Sequence, residues 1–181
     1  MPRKVVASTY VTLDGYVDEP GQWAMPFWSV EASDFKSKEL IASEALLLGR
    51  VTYEGFAAAW PAMEGTGEFG EKMNSMPKFV ASRTLRSATW NATIIEGEVA
   101  AAVRKLKEPD GGDLLIGGSG ELIDYLSAHD LIDEYRLMVH PIVLGDGKKR
   151  LFASVPRLTL ELVSAQTLGK GVVVNTYRPA G

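Results

Sequence analysis

Short apolar runs alternate with segments of helical spacing along most of the chain. Residues 4–13 are almost continuously apolar or β-branched, which is typical of a strand covered on both faces. The same reasoning predicts strands at 45–48, 78–81, 93–95 and 113–116, and helices at 29–43, 52–60, 98–107 and 121–127. Residues 14–28 are predicted to form a long irregular loop, and the glycine-dotted segment 65–76 to hold at most one short helix.

The pattern changes near the C-terminus, where three strand-like segments follow one another without helices. They cover residues 132–144, 158–167 and 172–177, and the glycines of 168–171 suit a hairpin turn. We therefore predict an α/β fold with a mixed, mostly parallel central sheet, flanked by helices and ending in an antiparallel C-terminal edge. With 181 residues, 46% of them hydrophobic, the chain is expected to form a single domain, 1–181.

The net charge and the residue composition limit the partners and cofactors that the chain is expected to bind. A formal net charge of -4 gives no basic field for nucleic acid or an anionic membrane, so neither is an expected partner. Cysteine is absent, and His129 and His140 are too far apart in sequence to suggest a metal site. No apolar run approaches the roughly 20 residues of a membrane helix, and no signal peptide is evident, so a cytoplasmic location is expected.

One strand end is almost free of side chains. The strand 113–116 runs through Gly117-Gly118-Ser119-Gly120 into a helix that opens with Glu121-Leu122. Backbone N–H groups at this positive helix end suit a phosphate. The glycine spacing is not the Rossmann fingerprint, and the alternative is an ordinary structural turn.

Two further strand ends carry arginine and hydroxyl side chains. Gly49-Arg50 closes the strand 45–48 just before a helix that begins at Thr52, so Arg50 can reach an anion there. Ser82-Arg83 follows the strand 78–81, where an NAD-specific site would place a carboxylate; a hydroxyl with a guanidinium favours the 2′-phosphate of NADP instead. The alternatives are a surface arginine beside a turn glycine for Arg50, and an ordinary loop composition after a strand for Ser82 and Arg83.

The three segments together support a ligand-binding site more strongly than any one of them, because the carboxyl ends of parallel strands share one edge of a sheet, where ligands bind. A dinucleotide has a pyrophosphate and, in NADP, one further phosphate to occupy them. The sequence therefore predicts NADPH as the cofactor and a small molecule as the substrate.

The order of the segments resembles a known family. The matching residues are Leu13-Asp14-Gly15, Gly49-Arg50-x-Thr52-Tyr53-Glu54, Ala81-Ser82-Arg83, Ile116-Gly117-Gly118-Ser119-Gly120 and His140-Pro141-x-Val143-Leu144-Gly145-x-Gly147. Over roughly residues 4 to 178 the chain is similar to the reductase domain of the bacterial bifunctional riboflavin-biosynthesis protein, the RibD C-terminal domain, and to its stand-alone relatives. These proteins share the dihydrofolate-reductase fold.

The resemblance implies NADPH lying along 49–52 and 117–122, with Ser82 and Arg83 toward the 2′-phosphate. It also implies that Asp14 and Gly15 lie beside the nicotinamide and the substrate, and that the protein is a homodimer. The implied activity is a reductase similar to the 5-amino-6-(5-phosphoribosylamino)uracil reductase and dihydrofolate reductase group.

Three carboxylates, those of Asp14, Glu31 and Asp34, are candidates for delivering the proton that accompanies hydride transfer. Each has a structural alternative. Asp14 can form the turn before Gly15, Glu31 can complement the helix dipole, and Asp34 can be solvated beside neighbouring lysines.

Aromatic residues are expected to form the walls of the substrate site. Trp23, Trp28 and Tyr53 are candidates to contact a flat heteroaromatic substrate, because aromatic faces favour stacking. His140 is interpreted as a packed or interface histidine. Two functions stay open: an NADPH-dependent reductase of a small heterocyclic or carbonyl compound, and an NADP(H)-binding sensor or interaction protein without turnover.

Overall fold

An eight-stranded sheet forms the centre of the protein, which is described over residues 1–181 by a computed structural model. The strands are β1 (Val5–Thr12), β2 (Ser43–Gly49), β3 (Lys78–Ala81), β4 (Ala92–Ile94), β5 (Asp113–Gly117), β6 (Glu134–His140), β7 (Leu160–Thr167) and β8 (Val173–Pro179). The helices are α1 (Val30–Ala42), α2 (Arg50–Ala59), α3 (Gly67–Ser75), α4 (Val99–Lys107) and α5 (Gly120–Ala128), with short 3-10 helices at Pro20–Gln22, Met25–Phe27 and Trp60–Ala62.

The strand order is β4-β3-β2-β5-β1-β6-β8-β7. The first six strands in this order are parallel, and β8 and β7 are antiparallel to their neighbours. The predicted fold class is therefore confirmed, including the antiparallel C-terminal edge. None of the helices has the length and apolar content that crossing a membrane requires.

Helices cover both faces of the sheet. On one face, Val5 and Ala7 of β1 pack with side chains of α4 and α5, such as Val103 and Ile123. On the other face, Val6 packs with α1, α2 and α3. A smaller apolar cluster around Met138 and Ala32 completes this second face near the start of α1. The near-continuous apolarity of β1 follows from this double burial.

The segment between β6 and β7 differs most from the sequence prediction. The strand predicted over 132–144 ends at His140, because Pro141 has no N–H to continue the ladder. Three aspartates instead accept hydrogen bonds from backbone N–H groups of the following segment, Asp14 from Leu144 and Gly145, Asp18 from Lys148 and Lys149, and Asp124 from Phe152. The segment 141–155 is thus held against the loop after β1 and against α5.

Lys78, at the start of β3, is completely buried. Its Nζ donates to the carbonyl of Asn74 at 3.2 Å and lies 3.9 Å from the centre of the Trp90 ring. Burial lowers the pKa of this amine to about 8. No carboxylate pairs with Lys78, so its positive charge is stabilised only by the Asn74 carbonyl and the face of the Trp90 ring.

Candidate active site

The three predicted anion-binding segments meet at one edge of the sheet. β3, β2 and β5 are adjacent, Gly49 pairs with Ala81, and β2 and β5 pair up to Leu47 and Ile116. The residues that follow each strand therefore emerge side by side. This arrangement agrees with the expectation drawn from parallel strands.

The sheet edge has a step beside these segments. β1 pairs with β5 only as far as Ser8 and Gly117, but it continues with β6 to Thr12 and His140. Beyond Ser8, β1 therefore has no strand on its β5 side. We call this place the step; a ligand entering it would lie between the end of β5 and the last residues of β1.

The N-termini of α2 and α5 lie next to each other at this edge. Neither helix has a side-chain cap, and the Gly49 N–H before α2 donates to Ser119 Oγ before α5 at 3.0 Å. By contrast, Ser29 caps α1 by accepting from the Ala32 N–H. Two helix starts with unsatisfied N–H groups and positive dipole ends form a natural site for phosphates.

The backbone around these helix starts leaves room for a close approach. Gly118 has φ +71, and a Cβ built on it would come within 3.9 Å of Thr52 Oγ1. A Cβ on Gly49 would contact Ser119 at 3.6 Å. Ser119 itself adopts a left-handed conformation, φ 54, which is unusual for a residue other than glycine. The absence of side chains at Gly49 and Gly118 leaves the backbone accessible beside the two helix starts.

The two predicted arginines are placed differently. Arg50, in the first turn of α2, pairs with Glu54 at 3.1 Å on the helix surface. Arg83 is exposed directly after β3, where Ser82 Oγ accepts from the Leu85 N–H and fixes the turn. Arg83 is therefore accessible to a phosphate on this third segment. Arg50 would have to leave Glu54 to bind one.

The Asp14 carboxylate is fully engaged at the end of β1. It accepts from Thr12 Oγ1 at 2.6 Å and from the N–H groups of Leu144 and Gly145 at 3.1 and 2.9 Å. These hydrogen bonds, first the one from Thr12, lower its pKa to about 2. Such a group holds two loops together, beside Gly15, and is a poor proton donor at neutral pH.

The other two predicted carboxylates lie on the surface of α1. Asp34 is exposed and pairs with Lys38 at 2.7 Å. Glu31 is exposed in the first turn, with its carboxylate beside Gly169 of the β7–β8 turn. Their contacts match the structural alternatives given for them above, the solvated helix residue and the first-turn partner of the helix dipole.

His140 occupies an aromatic enclosure at the end of β6. The ring centres of Trp23, Tyr10 and Phe27 lie 5.2, 5.7 and 6.0 Å from its imidazole, all edge to face. Burial lowers the His140 pKa, and Nδ1 donates to the Met138 carbonyl, which fixes the orientation of the ring. Trp23 is thus buried against His140. Trp28 packs edge to face on Tyr10, which in turn contacts His140.

Tyr53 is buried under α2, and its hydroxyl both accepts from the Thr89 N–H and donates to the Thr89 carbonyl. These contacts fix the loop before β4. Its role as a substrate wall stays a prediction.

A buried charged cluster, not predicted from the sequence, lies under α1. Lys36 and Glu39 form an ion pair, and Arg136 of β6 contacts Glu39 at 3.4 Å. A signal was present, because Lys36 and Glu39 stand at positions i+4 and i+7 from the buried Ala32, on the face that packs against the sheet. Only Asp34 on this helix was considered as a solvated residue, and Glu39 and Arg136 were not singled out.

The cluster is ionised. Burial raises the pKa of Glu39, but Lys36 and Arg136 outweigh it and hold the carboxylate below its usual pKa. Burial also lowers the pKa of Lys36, and Glu39 outweighs that effect, so this pKa is raised. Lys36 is therefore a fixed positive charge at neutral pH.

Comparison with known proteins places these features in a family context. A family model described as the RibD C-terminal domain matches residues 3–174. The chain is 29% identical over 179 residues to the uncharacterized protein YyaP of Bacillus subtilis, with 97% of this chain and 94% of the relative covered.

Two solved structures show the same fold. A putative riboflavin biosynthesis protein from Shewanella sp. PV-4 superimposes with a TM-score of 0.79 at 20% identity, covering 100% of both chains. A dihydrofolate reductase from Enterococcus faecalis, complexed with NADP(H) and RAB-propyl, has a TM-score of 0.68 at 15% identity, covering 98% of this chain and 97% of that one. The dihydrofolate-reductase-like fold is thereby confirmed.

Proposed function

Because the chain belongs to the family of the RibD C-terminal domain, we propose that it is an NADPH-dependent reductase of a small heterocyclic or carbonyl compound. The family and the dihydrofolate-reductase-like neighbours support a reductase-type function. The cofactor, when bound, supplies the hydride from its nicotinamide ring. The protein's task is to bind and orient both molecules.

One observation carries the cofactor assignment: the two uncapped helix starts joined by the hydrogen bond from the Gly49 N–H to Ser119 Oγ. In this assignment the N–H groups of α2 and of Gly120, Glu121 and Leu122 hold the pyrophosphate. Thr52 lies close to Gly118, so its hydroxyl can contact the pyrophosphate as well. Arg83, exposed after β3, pairs with the 2′-phosphate and sets the preference for NADPH.

The test compares NADPH and NADH binding by the quenching of tryptophan fluorescence. We expect Arg83→Ala to weaken NADPH binding about 10- to 100-fold, the size of one charge-assisted hydrogen bond, and to leave NADH binding unchanged. Arg86→Ala, which removes an exposed arginine three residues away, is the matched control. Equal affinity of the native protein for the two cofactors would refute the 2′-phosphate assignment.

An NADP(H)-binding protein without turnover is the second candidate. It is favoured by the engagement of Asp14 with three donors and of Asp34 with Lys38, because neither carboxylate is then available as a proton donor. A screen of carbonyl and heterocyclic acceptors separates the two functions. Tight NADPH binding without oxidation of NADPH by any acceptor would favour the binding protein.

A further inference from the structure

The Lys36 ammonium lies beside β1, held by groups of two elements. Its Nζ donates to Ser8 Oγ at 3.1 Å and to the Glu39 carboxylate, and it lies 5.5 Å from the centre of the Tyr10 ring. An ammonium has three N–H donors, so one is left without a partner in the chain. The Lys36 side chain is 15% exposed and that of Glu39 1%, so Lys36 is the member of the pair with the more accessible side chain.

The position of Lys36 is set by the register of the sheet. Ser8 pairs with Gly117, the last residue of β5, and its carbonyl accepts from the Gly118 N–H at 3.1 Å. The ammonium is therefore attached to β1 at the level where β5 ends and the step begins. Tyr10, two residues further along β1, joins it to the aromatic enclosure of His140.

Stability alone does not require charged side chains at these positions. Replacing a buried ion pair by apolar side chains of similar volume is often neutral or stabilising. The neighbouring members of the same helix face, Ala32 and Leu40, are apolar and well packed. The Lys36 ammonium, which pairs with Glu39 at the step, is therefore a candidate for a role toward a ligand.

We propose that Lys36 is the residue that recognises the hydride acceptor, with Glu39, which pairs with it, and Arg136, which holds the Glu39 carboxylate, as positioning residues. This inference rests on the proposed reductase function, and it adds the residue and the polarity of the acceptor. Lysine is a donor only, so the acceptor presents a carbonyl or anionic oxygen to it. An amino-substituted cationic ring, which needs a carboxylate, is disfavoured at this position.

The experiment uses two probes of similar size and opposite polarity, barbiturate and 2,4-diaminopyrimidine. Each is titrated by calorimetry into the full-length protein in the presence of saturating NADP⁺. We expect the native protein to bind barbiturate more tightly than the diamine. We expect Lys36→Met to weaken barbiturate binding about 10- to 100-fold. Lys38→Met, which removes an exposed lysine of the same helix, is the control and leaves the affinity unchanged.

A second variant guards against misfolding. Lys36→Met leaves Glu39 with Arg136 as its only cation, so Lys36→Met/Glu39→Gln, which also removes the unpaired carboxylate charge, is measured beside it, with circular dichroism as the folding check. NADPH binding to both variants should persist.

The outcomes are distinct. Failure of the native protein to bind NADPH overturns the proposed function. If the native protein binds NADPH, three results overturn the role of Lys36 alone. They are a barbiturate affinity that Lys36→Met leaves unchanged, tighter binding of the diamine than of barbiturate, and no barbiturate binding at all.

Discussion

The buried amine of Lys78 makes the stability of the fold depend on pH in a defined window. Its folded-state pKa of about 8 lies below the ordinary value of 10.5. At about 1.36 kcal/mol per pH unit, this difference corresponds to about 3 kcal/mol. Below pH 8 the lysine is protonated in both the folded and the unfolded chain, and the folded state bears the full cost of the buried charge.

The sign follows from proton binding. Between about pH 8 and 10.5 the unfolded chain binds more protons than the folded chain, so the free energy of unfolding rises with pH through this window. Lys78→Met keeps an unbranched side chain of similar length and carries no charge at any pH. Relative to this variant, the native protein should gain about 2 to 3 kcal/mol between pH 7 and 10.

Urea denaturation followed by circular dichroism at several pH values measures this difference. Other titrating groups cancel because they are common to both proteins. Lys38→Met, at an exposed lysine, should run parallel to the native protein across the whole range. A difference between native protein and Lys78→Met that stays constant within about 0.5 kcal/mol would refute the reasoning, since Lys78 would then titrate alike in both states.

Three further changes test the site and its supports. Ser119→Ala leaves the Gly49 N–H without its acceptor, so we expect a loss of about 1 to 3 kcal/mol in urea denaturation and weaker NADPH binding; unchanged values would mean that the hydrogen bond is dispensable. Gly147→Ala places a Cβ 2.2 Å from the Tyr16 ring and should cost about 1 to 3 kcal/mol, whereas Gly55→Ala, with open space in α2, should be neutral or stabilising. Asp14→Asn should lose less stability than the native protein as the pH falls from 4 to 2, because the pKa of the native carboxyl is lowered to about 2; parallel acid-unfolding curves would contradict this.

The sequence was sufficient for most of the fold because its strands and helices are short and clearly bounded. The apolar run 4–13 and the turn 168–171 both predicted elements that the structure contains. The meeting of Gly49, Ala81 and Gly117 at one edge followed from a general property of parallel sheets. These predictions depended on local pattern and needed no knowledge of distant contacts.

Features that depend on pairing between residues far apart in the chain could not be predicted from the sequence. Glu39 and Arg136 are 97 residues apart in sequence, and a charged helix residue is ordinarily read as solvated. Asp14 was singled out, but its bonds to Leu144 and Gly145 depend on a loop whose path has no local signal. The homodimer and the cytoplasmic location stay predictions.

The central place of β1 has a consequence for synthesis of the protein. Of the eight strands of the sheet, β1 is made first, and its partners β5 and β6 begin only at residues 113 and 134. Until they emerge, the nascent chain exposes Val5, Val6 and Ala7 with unpaired backbone groups, a state prone to association. Closing contacts over such long sequence separations also slows folding. Chains interrupted before residue 140 should therefore aggregate, and the cell would need to shield β1 until β6 has been made.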